Sequence, residues 1–287
     1  MAKEIWPNFF IVGAPKAGTT SLYQYLNAVP GVYMSPMKEP RYFTTIVPVE
    51  TSAVPPVRDK AEYLRLFQGV KDEVAIGEAS VAYLRDPETP KRIHDVVPGA
   101  RIIILLRDPV ERAFSNYLMH VREGWQTVSF QEALQKGLYR DSYLEEGFYA
   151  EQIKRYLDTF GPERVKILIF EEFIQDTKRA VSDVLRFLDV DSEPPDSAGE
   201  AHNAFAMPRS RWAYRIFGSR VARRAARKLL PTPLRILVKG RVLLKKVSKP
   251  AMPQEARKFL EDFYRDDVGK LEEFFGRRLP WPRGRSQ

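Results

Sequence analysis

The chain has no cysteine among its 287 residues. That excludes a disulfide framework, a thiolate nucleophile and any thiolate metal site. Histidine is almost as scarce, with only His94, His120 and His202, so a histidine-rich metal centre is not expected and no metal is assigned. No apolar run approaches the ~20 residues that a membrane-spanning helix needs. Met1 to Trp6 lead straight into the first apolar segment. This predicts no signal peptide and, with cysteine missing, a cytoplasmic location. Repeats and low-complexity tracts are absent, and the length suits one α/β domain over 1–287.

Acidic residues are missing from one long segment. Residues 201–254 hold 14 Lys or Arg and no Asp or Glu. The whole chain is at +9, so the other 32 basic and 37 acidic residues leave the remainder at −5. Arg220, Arg223, Arg224, Arg227 and Lys228 fall at helical spacing, opposite Val221, Ala225 and Leu229. Pro231 and Pro233 interrupt the pattern and Leu234 to Val247 repeat it. The spacing predicts a basic, mostly helical insertion or lid near the C-terminus. Such a segment can be a solvated hairpin, a cover for an anionic ligand, or a peripheral contact with acidic membrane or a carrier protein. Nucleic acid is not expected as a partner, because no stacking motif or recognition helix accompanies the charge.

What is present is concentrated near the N-terminus. Phe9 to Val12 form an apolar run that ends in Gly13-Ala14-Pro15-Lys16-Ala17-Gly18, followed by Thr19-Thr20-Ser21. This is a strand, a phosphate-sized loop and a helix start, offering backbone N–H groups and a lysine to an anion. The glycines match the nucleotide-kinase loop G-x-x-x-x-G-K-[ST], but the lysine lies inside the loop rather than after the second glycine. That displacement points to a different anhydride.

Strand and helix patterns alternate along the chain. Strands are predicted at Phe9–Gly13, Gly31–Met34, Val74–Glu78, Arg101–Leu106 and Val165–Phe170. Helices are predicted at Thr19–Asn27, Ala61–Phe67, Pro90–Val97, Val110–Arg122, Tyr149–Phe160, Lys178–Leu188 and Gln254–Phe275, with Ser192–Met207 as loop. The expected fold is α/β, a P-loop-like parallel sheet flanked by helices. Ligands of such sheets bind beyond the carboxyl ends of the strands.

Three segments in order resemble the sulfotransferases that use 3′-phosphoadenosine 5′-phosphosulfate (PAPS). Pro15-Lys16-Ala17-Gly18-Thr19-Thr20-Ser21-Leu22 is similar to the family's 5′-phosphosulfate loop. Arg101 to Tyr117, with Arg107 and Ser115 eight residues apart, is similar to its 3′-phosphate motif. Lys38-Glu39-Pro40-Arg41-Tyr42-Phe43 resembles an element of bacterial and glycan-type members. The resemblance implies PAPS as co-substrate and no metal. It implies that Lys16 meets the charge on the leaving phosphate, while Ala17, Gly18, Thr19, Thr20 and Ser21 hold the phosphate oxygens. It assigns the 3′-phosphate to Arg107 and Ser115, with Arg209 as an additional candidate, and the acceptor's proton to Glu39. His120 is the rival base and Glu78 a third. Heparan-type members carry a lysine where this chain has Ala79. Gly147-Phe148-Tyr149 and Gln152 resemble an acceptor-side element, with core packing as the alternative reading. Arg112 reads as a surface residue. The expected acceptor is a small molecule, lipid or carbohydrate carrying a hydroxyl or, second, an amine. Two other readings stay open: a phosphate-loop nucleotide kinase, and a non-catalytic nucleotide- or membrane-binding protein.

Overall fold

The computed structural model describes residues 4–46, 55–199, 206–208, 244–246 and 249–282. At its centre lies a five-stranded sheet, ordered β2-β3-β1-β4-β5. These strands are β1 (Phe9–Gly13), β2 (Val32–Met34), β3 (Ala75–Ala79), β4 (Arg101–Leu106) and β5 (Val165–Ile169). Every neighbouring pair is parallel. The middle strands β1 and β4 are buried almost throughout, as a parallel sheet covered on both faces requires. Gly77 of β3 is there for space. A Cβ at that position would lie 2.1 Å from Phe9 Cζ on the neighbouring strand.

The helices start at recognisable caps. Asp59 accepts from the Glu62 amide at the start of α2 (Lys60–Arg65). Asp108 accepts from the Val110 amide ahead of α4 (Pro109–Arg122), with Pro109 at its first position. Ser129 caps α5 (Phe130–Gln135), and Asp176 caps α9 (Thr177–Phe187). The remaining helices are α1 (Thr19–Asn27), α3 (Thr89–Val96), α6 (Arg140–Tyr143), α7 (Tyr149–Phe160), α8 (Phe170–Gln175) and α10 (Gln254–Phe275).

Two apolar cores result. The larger joins the sheet to α1, α3, α7 and α9. The smaller lies between α4, α5, α6 and α10, around Phe114, Phe130, Tyr143 and Leu260. Polar contacts tie the two together. Asp267 of α10 accepts from the Tyr149 and Ala150 amides, which open α7. Trp281 donates to Glu171, whose other oxygen accepts from the Asp108 amide.

The sheet, its parallel sense and most helices lie where the sequence places them. Three local expectations are corrected. Leu244–Lys246 is a strand, β7, paired antiparallel with β6 (Ala206–Pro208), where the charge spacing predicts helix and the end of a loop. The ladder partner is remote in sequence, so local periodicity does not register it. The rest of 209–248 lies outside the described residues. Phe170 opens α8 instead of ending β5. Arg112, expected at the surface, is fully buried. It donates to the Ser142 and Tyr143 carbonyls and pairs with Glu146 at 3.2 Å.

Arg112→Ala would leave the mostly buried Glu146 carboxylate without its closest cation. Breaking a buried pair on one side costs about 3–5 kcal/mol. A fall of that size in denaturant-derived stability, with an unchanged m-value, is expected. A loss under about 1 kcal/mol would mean that the pair is replaceable at little cost.

Candidate active site

Each sheet strand ends at the same edge, and the segment after each one reaches one cavity of about 760 Å³. The β1 loop brings Pro15, Lys16 and Gly18, and α1 adds Thr19, Thr20 and Ser21. Beyond β2 come Lys38 and Glu39; beyond β3, Val81, Ala82 and Arg85. Arg107 follows β4 and Phe170 follows β5. Helix α4 contributes Ser115, Asn116, Met119 and Arg122, and the segment before α7 adds Ser142 and Glu146.

The loop is built to present N–H groups. Gly18 precedes α1 in the left-handed region at φ 89°, and a Cβ there would press to 2.9 Å from the Phe170 ring. Both conditions select glycine. Helix α1 has no side-chain cap and no acid in its first turn, so its leading amides and dipole face the cavity for an anion. Lys16 itself holds φ 66°, a conformation that non-glycine residues rarely adopt, as does Glu39 at φ 63°. Strain of this kind collects at binding and catalytic positions.

Arg107 connects the strand ends. Its Nη1 donates to the Lys16 carbonyl at 3.0 Å, and its guanidinium stacks on Phe170 at 4.8 Å. Its Nε is buried with no acceptor among the described residues, and it pairs with neither Asp108 nor Glu111. Glu111 instead takes Lys249 and Arg257. A held fork with an unsatisfied N–H fits a phosphate. Ser115 lines the same cavity.

Burial, followed by the charges of Arg122, Arg107 and Lys38, brings the Lys16 ammonium down to about 8. Its Nζ lies 3.6 Å from Met119 Sδ. Cations dominate the cavity: Lys16, Lys38, Arg85, Arg107, Arg122 and Lys249 against the acids Glu39 and Glu146. Such a field selects an anionic ligand. Glu39 forms an ion pair with Lys38 at 3.0 Å. Glu146 is raised above the ordinary carboxylate range, mainly by burial, with Arg112 and Arg85 opposing the shift.

The structure therefore brings Lys16, Gly18, Thr19, Thr20, Ser21, Glu39, Arg107 and Ser115 to one cavity. Ala17 is fully buried, so it has only its backbone to offer. Arg209 lies outside the described residues. His120 is not brought in. It lies five residues after Ser115, about 140° around the helix. Its ring is fully buried among Trp125, Tyr139 and Tyr143, with Nδ1 2.9 Å from the Tyr143 hydroxyl. Burial and the nearby Lys16 charge hold its pKa at about 4, so it stays neutral at physiological pH. Tyr149 and Gln152 are core residues.

Sequence reasoning missed Met119, Arg122, Arg85 and Glu146. Met119 and Arg122 were within reach, because they follow Ser115 at the i+4 and i+7 positions of one helix face. Among the described residues no group of His, Asp and Glu has the makings of a metal site. No described helix is long and apolar enough to cross a membrane.

Comparison with known proteins agrees with the motifs. Residues 7–214 match the Sulfotransferase domain. The chain belongs to the sulfotransferase family. It is 35% identical to a solved sulfotransferase from Alicyclobacillus acidocaldarius, covering 96% of this chain and 98% of that one, with a TM-score of 0.71. Human carbohydrate sulfotransferase 15 is 28% identical over 64% of this chain and 44% of its own length. The chain thus spans less than half of that relative. A retinol dehydratase solved with androsterone and the inactive cofactor PAP shares the fold at a TM-score of 0.51 and 12% identity, over 97% and 84% of the two chains.

Because Lys16 is charged below about 8 and neutral above, anion binding should weaken as pH rises through that value. The affinity for 3′-phosphoadenosine 5′-phosphate (PAP) is expected to fall between about pH 7 and pH 9, with proton uptake on binding at the upper end. Calorimetry in buffers of different ionisation enthalpy reads both quantities. Lys16→Arg should flatten the profile. An unchanged slope in that variant would assign the titration elsewhere.

Proposed function

We propose that this protein transfers the sulfuryl group of PAPS to a hydroxyl group of a carbohydrate or other small acceptor. The observation that carries this reading is the convergence of Lys16, Arg107, Ser115 and Glu39 on one cation-rich cavity. The buried, unsatisfied Arg107 Nε and the uncapped start of α1 fit a bisphosphorylated nucleotide better than a single phosphate. PAPS supplies an activated sulfuryl group on a phosphate leaving group.

The side chains act by position and charge. The amides of residues 17–21 hold the 5′-side oxygens. Arg107 and Ser115 hold the 3′-phosphate, which excludes AMP. Glu39 takes the acceptor's proton as the acceptor oxygen bonds to sulfur. Lys16 balances the charge left on the 5′-phosphate as its bond to sulfur breaks. His120, neutral and buried, has a structural part as partner of Tyr143. The same reading treats residues 1–287 as one sulfotransferase domain. A lysine within the loop, rather than after Gly18, disfavours the kinase reading.

Two measurements test this. PAP should bind far more tightly than AMP, without magnesium. Arg107→Ala should remove most of that preference, since a charge-assisted phosphate contact contributes about 1.5–3 kcal/mol. Equal affinities for AMP and PAP, or a preference for ATP with magnesium, would remove PAPS from the site.

Turnover is read with radiolabelled PAPS against methyl galactoside, octanol and benzyl alcohol. Glu39→Gln should lower it by roughly 10²–10⁴-fold while leaving PAP affinity nearly intact. His120→Asn should lower thermal stability more than turnover. An active Glu39→Gln beside an inactive His120→Asn would reverse the assignment of the base.

A further inference from the structure

Directly beneath the Glu39 turn lies a carboxylate that the mechanism above does not use. Glu78 is fully buried at the end of β3. Three hydroxyls surround it. Tyr83 donates to Oε1 at 2.6 Å and Tyr63 to the same oxygen at 3.1 Å. Ser80 donates to Oε2 at 3.1 Å. All three donors are themselves fully buried. Two of them also reach the Glu39 segment. The Arg41 amide donates to Ser80 Oγ at 3.1 Å, and the Phe43 amide donates to the Tyr83 hydroxyl at 3.2 Å. The Glu39 amide donates to the Ala79 carbonyl, one residue after Glu78, at 2.8 Å.

We propose that Glu78 is a positioning residue for Glu39, acting through the hydroxyls of Ser80 and Tyr83. This rests on the reading of Glu39 as the base. The argument is one of hydrogen-bond polarity. An ionised carboxylate only accepts. Each hydroxyl has one hydrogen, and the carboxylate takes it. The lone pairs of Ser80 Oγ and the Tyr83 hydroxyl are then turned outward, where they accept the Arg41 and Phe43 amides. The anchored segment needs such ties, because Glu39 and Arg41 both hold left-handed backbone at φ 63° and 55°. That conformation costs free energy in residues with a Cβ and persists only where the surroundings hold it. Glu78 thus sets which way a small buried network points, and the network sets where Glu39 stands relative to the Lys16 loop.

Glutamine at 78 keeps the shape but presents an N–H₂ donor to one side of the network. The hydroxyl there must accept from it, and its own hydrogen, displaced from the carboxylate, is left without that acceptor and competes for the outward side where the backbone N–H is held. The turn loses a tie while the phosphate loop, on β1, keeps all of its own.

The test combines hydrogen exchange with a double-mutant cycle. In Glu78→Gln, and in Ser80→Ala, which keeps the carboxylate, the Arg41 amide should exchange at least about tenfold faster than in the wild type. Amides of residues 17–21 and PAP affinity should stay within about twofold. With the same three alcohols, Glu78→Gln should lower kcat about tenfold or more, and should lower it no further in a Glu39→Gln background. Effects that multiply in the double variant, unchanged exchange at Arg41, or a parallel loss of PAP affinity would each overturn the proposal. If Glu78→Gln does not fold, Ser80→Ala and Tyr83→Phe decide it on the same criteria. A fully active Glu39→Gln would overturn the base assignment and this proposal with it. An impaired Glu39→Gln beside a wild-type Glu78→Gln would overturn this proposal alone.

Discussion

A parallel sheet has all its carboxyl ends at one edge, and that constraint organises everything else in this molecule. The loop after each of the five strands leaves from the same side. Gly13 leads to Lys16, Met34 to Lys38 and Glu39, Ala79 to Val81, Leu106 to Arg107, and Ile169 to Phe170. Residues as far apart in sequence as Lys16 and Lys249 therefore share one cavity. The contact that locks this edge is the Arg107 guanidinium. It lies between the Lys16 carbonyl and the Phe170 ring and so joins the ends of β1, β4 and β5.

Charge is then sorted by depth. The cavity wall is mostly cationic, with Lys16 desolvated enough to titrate near neutral pH. The acids nearby are placed in three ways. Glu39 is partly exposed and paired with Lys38. Glu146 lies between Arg112 and Arg85. Glu78 is fully enclosed by hydroxyls, and burial pushes it up to about 7 against their pull. The same residue type has three roles because solvation and partners differ. The three hydroxyl donors favour the ionised form of Glu78, which makes it suited to organising a network.

Several elements were legible because their signals are local. Three isoleucines and two leucines in Arg101–Leu106 announce a strand buried on both faces, and Asp108-Pro109 announces the helix after it. The Gly13–Gly18 loop and the Arg107–Ser115 spacing are also local patterns, and the structure brings both to one cavity. No helix or strand is predicted over residues 123–148. They form the short helices α5 and α6, which are held by α4 and α10 rather than by their own sequence. Glu146 stayed hidden for that reason. At Leu244–Lys246 the charge spacing pointed to helix, but the segment took a strand partner remote in sequence, which local periodicity does not record. Arg112 misled in the opposite direction. An arginine beside a glutamate in a helix looks solvated, yet its fork found two carbonyls and Glu146 inside the protein.

The amino-acid order alone determined the alternation of strands and helices, the glycine-rich loop with its displaced lysine, and the Arg107–Ser115 spacing. These depend on periodicity and on spacing along a single strand–loop–helix unit. Only the tertiary structure decided which candidates meet. It brought Glu39 to the cavity and turned His120 into an aromatic cage, although both are plausible bases in sequence. It also placed Glu78 beneath the Glu39 turn through Ser80 and Tyr83. The reason is physical. Reach, burial and hydrogen-bond polarity belong to the space between elements, and a one-dimensional pattern records them only where the partners are neighbours in the chain.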